Sequence, residues 1–130
     1  MADSDKSLAQ QGTIISADLT VDQADEVRDF YKQVIGWEHS DVSMGEYNDY
    51  MMTTKDGVPV AGVCHQAGSN AGLPAVWLVY FQVADLEKSL ETCRSLGGKV
   101  LREPEPGESA CGKFAVIEYP AGAICALTQL

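Results

Sequence analysis

The chain has 130 residues, 45% apolar and 22% charged, with a formal net charge of −10. This is the make-up of one soluble globular domain, long enough to bury about two-thirds of its unfolded surface. No basic stripe is present, which argues against nucleic acid or anionic membrane as a partner. No run approaches the roughly 20 apolar residues of a membrane span.

Residues 1–12 are polar and lack the apolar core of a signal peptide, so a disordered tail and a cytoplasmic location are expected. Thr13–Val21 then reads as a strand with two faces. Ile15, Ala17, Leu19 and Val21 form an apolar side; Ser16, Asp18 and Thr20 form a polar one. Asp22 is the expected N-cap of a helix whose apolar positions are Ala24, Val27, Phe30, Tyr31, Val34 and Ile35, ended by Gly36. Strands are predicted at Glu38–Met44, Tyr47–Thr54 and Val58–His65, with a hairpin turn at Lys55-Asp56-Gly57. Gln66–Pro74 is linker-like.

The order then repeats. Ala75–Val83 is a strand, and Asp85 caps a helix with Leu86, Leu90, Cys93 and Leu96 on its apolar face. Lys99–Arg102, Gly112–Tyr119 and Ala123–Gln129 are later strands, with a Pro- and Gly-rich loop between the first two. Val21 and Val83 are 62 positions apart, as are Gly36 and Gly98, while the turn glycines Gly57 and Gly122 are 65 apart. The expected fold class is therefore α+β: two tandem βαβββ modules, 13–66 and 74–130, within one domain over 13–130. Their mixed sheet should curve into a cup with the helices outside, and polar faces of the first strands should line it.

Four cysteines are present, at 64, 93, 111 and 125, and none has CxxC or zinc spacing. They read as reduced thiols, with Cys111 in its Gly-rich loop the one candidate for reactivity.

Several stretches carry a family resemblance. Leu19-Thr-Val-Asp, then Phe30-Tyr31, then Val34-Ile35-Gly36-Trp37-Glu38 resembles the first module of the vicinal oxygen chelate superfamily. Asp56-Gly57-Val58-Pro59-Val60-Ala61-Gly62-Val63, Gly97-Gly98-Lys99-Val100 and Tyr119-Pro120-Ala121-Gly122-Ala123 are similar to its branch related to lactoylglutathione lyase. The superfamily also contains dioxygenases and bleomycin-binding proteins. The resemblance implies a homodimer, and in metal-dependent members four ligands, one from the first and one from the last strand of each module. Carried over by alignment, those positions fall on Ser16, Ala61, Leu78 and Ala126, which cannot build a divalent site. No metal is expected, and with no Gly-rich phosphate loop no other cofactor is expected either.

Strand parity names the residues that would act instead. Asp18 is a candidate base, with Tyr80 or His65 assisting. Ser16, Gln82, Tyr50, Leu78 and Ala126 are candidate ligand contacts. Met51 and Met52 are candidates for an adaptable wall. Three readings follow: a glyoxalase-like, metal-independent lyase or isomerase acting on a small organic molecule, a protein that binds and sequesters one without chemistry, or a structural or partner-binding use of the scaffold.

Overall fold

The computed structural model describes residues 11–105 and 113–129. Cys111 and most of the Pro- and Gly-rich loop lie outside them, as does the tail over 1–10. The class is α+β, and the chain divides into two compact units.

The first unit, Ser16–Trp77, holds β1 (Ile14–Val21, from its third residue on), α1 (Ala24–Ile35), β2 (Glu38–Ser43), β3 (Asn48–Thr53) and β4 (Pro59–His65). Its strand order is β2-β3-β4-β1. β1 runs parallel to β4, and the other pairs are antiparallel. A parallel pair needs a long connection between its strands, and α1 with the β2–β3 hairpin supplies it. The helix covers one sheet face over a core of Ala24, Tyr50, Met52 and Val63, joined by Val21, Val27, Trp37 and Trp77.

Two expectations for α1 change. The N-cap is Gln23 rather than Asp22, and no side chain caps it. Only Ala24, Val27 and Tyr31 turn toward the sheet, while Phe30 (57%), Val34 (62%) and Ile35 (53%) are exposed. The helical spacing was right, but the buried stripe is narrower than the apolar one. Gly36 ends the helix as expected: its φ of 86° is the left-handed region, and its N–H donates to the Lys32 carbonyl at 3.0 Å.

The second unit is built from the chain from Leu78 on together with residues 11–15. It contains β5 (Trp77–Gln82, from its second residue on), α2 (Leu86–Ser95), β6 (Lys99–Arg102), β7 (Lys113–Glu118) and β8 (Ile124–Gln129), in the order β5-β8-β7-β6. β5 is parallel to β8. Asp85 caps α2 as expected, accepting from the Lys88 N–H at 3.1 Å. Leu86 and Leu90 bury against Val83 and Ala115; full burial of a side chain such as Leu90 contributes about 1.5–3 kcal/mol. Leu96 is exposed, because the helix has already ended. Gln11 and Gly12, assigned above to the tail, are anchored: the Gly12 N–H donates to the Gln82 carbonyl at 2.7 Å, and Gln11 Oε1 accepts from the Ala84 N–H at 3.0 Å.

Among the described residues no helix is long and apolar enough to cross a membrane.

Candidate functional site

In a sheet, residues directly paired across strands point to the same side. In the first unit, Asp18 pairs with Gly62, Gly62 with Met51, and Met51 with Ser40. One step along, Thr20 pairs with Cys64, and Asp49 with Val42. These two rows form the face opposite α1, because the intervening Leu19, Val63 and Tyr50 belong to the side that packs under the helix.

The face sets Gly62, Met51, Cys64 and Val42 beside the hydroxyls of Ser40 and Thr20 and the carboxylates of Asp18 and Asp49. Gly62 has no side chain, and the Asp18 carboxylate fills the space: Oδ1 lies 2.5 Å from where a Cβ at position 62 would stand. Asp49 is buried at 7% exposure, and its Oδ1 accepts from the His65 backbone N–H at 2.9 Å. Met51 (38%) and Val42 (42%) remain open to solvent. Cys64 sits between the two carboxylates. Burial pushes its thiol up, and the negative charges of Asp18 and Asp49 push it further. Both effects favour the neutral, weakly nucleophilic thiol over the thiolate.

Asp18 therefore lies where the alternation of β1 puts it. His65 does not join it. Ala61, Val63 and His65 occupy the α1 side of β4, and Gly62 and Cys64 take the open side. The cause is a β-bulge. Met52 pairs with Ala61 but Thr53 pairs with Pro59, so Val60 is one residue too many and the alternation shifts by one. Asp18 and Tyr80 are 62 apart, but their partners Gly62 and Ala126 are 64 apart. The spacing of 65 between turn glycines overcounts by one. Pro59 carried a hint, since proline in an inner strand is confined to its first residue or a bulge.

His65 instead joins a cluster at the edge of α1. Its Nε2 lies 3.5 Å from Asp25 Oδ1, and its Nδ1 lies 3.5 Å from Asp49 Oδ1. Tyr50, expected to contact ligand, is in the core, where its hydroxyl donates to Asp25 Oδ1 and the Arg28 guanidinium stacks 4.6 Å over its ring. The Asp25 bond and burial hold the Tyr50 phenol above its usual range. Met52 is likewise fully buried, so of the two methionines only Met51 reaches the open face.

In the second unit the expected parity holds. Tyr80 pairs with Ala126 and Ala126 with Val116; Gln82 pairs with Thr128 and Thr128 with Phe114. Leu78 precedes Tyr80 by one alternation and is fully buried. Phe114 was not singled out from sequence. It lies 5.5 Å from the Tyr80 ring, with the Arg102 guanidinium 3.7 Å over its own ring.

With the bulge counted, the positions that carry metal ligands in metal-dependent relatives become Ser16 and Gly62 in the first unit, Leu78 and Ala126 in the second. Gly62 replaces Ala61, and neither offers a ligating side chain. The residues present do not fit that metal. Among the described residues no group of three or more His, Cys, Asp or Glu side chains is placed to hold one.

Residues 13–124 match the family profile of the Glyoxalase/Bleomycin resistance protein/Dioxygenase superfamily, and the chain belongs to that superfamily. A Mycobacterium tuberculosis (strain CDC 1551 / Oshkosh) protein named "Putative glyoxylase CFP32" is 34% identical over 115 residues, covering 88% of this chain and 43% of its own length. The "Anthracycline biosynthesis protein DnrV" of Streptomyces peucetius is 32% identical over 111 residues, covering 76% of this chain and 40% of its own length. The chain thus spans about two-fifths of these curated relatives. A solved superfamily member from Vibrio splendidus 12B01 superposes with a TM-score of 0.57 at 16% identity, covering 90% of this chain and 98% of that one. That likeness supports the fold alone.

Proposed function

We propose that this chain binds a small organic molecule against the helix-free face of its first module, with Asp18 as the polar group that orients it. The observation that carries this reading is the pairing of a half-buried carboxylate, seated over Gly62, with the exposed side chains of Met51 and Val42. Apolar walls with a few well-placed polar groups are how small-ligand sites are built. Superfamily membership is consistent with it.

A catalytic form of the same reading makes Asp18 a general base in a metal-independent lyase or isomerase. A base must lie within hydrogen-bond reach of the proton it removes, and His65 on the α1 side is not positioned to share that work. The non-catalytic form needs only the surface.

A metabolite library screened by two-dimensional NMR on the 15N-labelled chain tests the proposal. Hits should perturb the amides of Asp18, Met51 and Gly62 and should weaken in Asp18→Asn. Hits confined to other elements, or indifferent to that substitution, would refute it. Following each bound compound over time separates the two forms: conversion by wild type and not by Asp18→Asn marks the enzyme.

A further inference from the structure

The helix-free face of the first unit carries two sulfur atoms, Met51 and Cys64, and they differ in what they can do. We propose that Met51 is a modification site: a hydroperoxide converts its thioether to the sulfoxide, and this lowers the affinity of the face for a small organic molecule. This rests on the small-molecule reading above and adds the regulation of that same site.

Met51 pairs with Gly62, and Gly62 pairs with Asp18. Gly62 contributes no side chain between them, and the Asp18 carboxylate takes the space above it. A molecule oriented by Asp18 therefore has Met51 as its neighbour in the row. Met51 is 38% exposed, whereas Met52 is fully buried in the cluster of Ala24, Tyr50 and Val63. Strand alternation thus turns one sulfur of the pair to solvent and shuts the other away. Met44 is also exposed, but it lies past the end of β2 and outside the paired rows.

Thiols oxidise through the thiolate. Burial and the charges of Asp18 and Asp49 keep Cys64 protonated, so it resists this chemistry. A thioether has no proton to lose, and the same surroundings give Met51 no such protection. In the step, the sulfur lone pair attacks the peroxide O–O bond, an S–O bond forms, and the rest of the hydroperoxide leaves as water or an alcohol. Sulfur gives up two electrons and the peroxide takes them. The product is polar and chiral where the wall was apolar and flexible. An apolar body seated there must bury the sulfoxide oxygen or give up the contact, and either weakens binding. A sulfoxide reductase restores the thioether, so the change is reversible.

The test treats the full chain, labelled with 15N and with 13C at the methionine methyls, with hydrogen peroxide at neutral pH. The methyl signals of Met51 and Met44 should convert to sulfoxide, and Met52 should lag by about tenfold or more. After unfolding, Cys64 should still alkylate as a free thiol by mass spectrometry. Indole, an apolar ring with one N–H donor, is the binding probe. It should shift the Asp18, Gly62 and Met51 amides saturably before oxidation and bind about fivefold more weakly after it. Methionine sulfoxide reductase with dithiothreitol should restore the first affinity. In Met51→Leu the affinity should be the same before and after peroxide, and in Met44→Leu it should fall as in wild type. Oxidation of Met52 as fast as Met51, or of Cys64 before Met51, would overturn the inference. Unchanged indole affinity once Met51 is the sulfoxide would overturn it and leave the small-molecule reading standing. No response of these amides to indole before oxidation would also overturn it, and the wider reading is then decided by its own library screen.

Discussion

The carboxylate of Asp18 occupies the space that any side chain at Gly62 would need, with Oδ1 2.5 Å from the vacant Cβ position. The pairing of β1 with β4 creates this contact, and it fixes where the negative charge of the open face stands.

Cys64 reports on that charge. Its thiol is raised first by burial and then by Asp18 and Asp49. At pH 8 its alkylation by iodoacetamide, followed by mass spectrometry, should be more than about tenfold slower than that of a free thiol, because only the thiolate reacts. Asp18→Asn removes one negative neighbour, lowers the thiol pKa and should speed alkylation. A slower rate in the variant would contradict this account of the site's field.

Tyr50 gives a pH-dependent prediction. Its folded pKa lies above the unfolded value near 10 because its hydroxyl donates to Asp25 and is buried. A raised pKa contributes stability that is fully present below pH 10 and is lost as pH climbs through the folded value. Urea unfolding should therefore show wild type losing stability above pH 10, and Tyr50→Phe losing less over the same range. At pH 8 the phenylalanine variant should be less stable by about 1 kcal/mol.

The two helix starts differ in a measurable way. Asp85→Ala removes a side-chain cap from α2 and should cost about 1 kcal/mol in chemical denaturation. Asp22→Ala removes no cap from α1 and should change stability by less than about 0.5 kcal/mol.

Both tryptophans of the chain sit in one aromatic cluster with Tyr31 in the first unit. Trp77 Nε1 donates to the Tyr31 hydroxyl at 3.0 Å. Tyr31→Phe should destabilise by about 1 kcal/mol by leaving that indole N–H without its acceptor. It should also shift the intrinsic emission maximum, whereas Leu90→Ala, buried in the other unit, should leave the native-state maximum in place.

The modules, their element order and the turn glycines were legible because each rests on local pattern: alternation in β1, helical spacing in α1, left-handed glycine at 36. The placement of Asp18 was legible for the same reason. The failure came at His65. Its face depends on counting residues from the Gly57 turn, and a bulge changes that count with no change in hydrophobic pattern. Tyr50 was misjudged differently: alternation put it on the side away from Asp49, but nothing local says that α1 brings Asp25 to its hydroxyl. Long-range contacts of this kind also kept Phe114 and the Arg102 stacked over it out of view.

The extra residue at Val60 acts as an expansion joint in β4. It lies between the hairpin turn and the stretch from Ala61 to His65 that β1 and β3 hold in register. Slack can be taken up there before it reaches Gly62. A residue gained or lost in the hairpin is therefore expected to be absorbed at Val60, leaving Asp18 in its seat over Gly62.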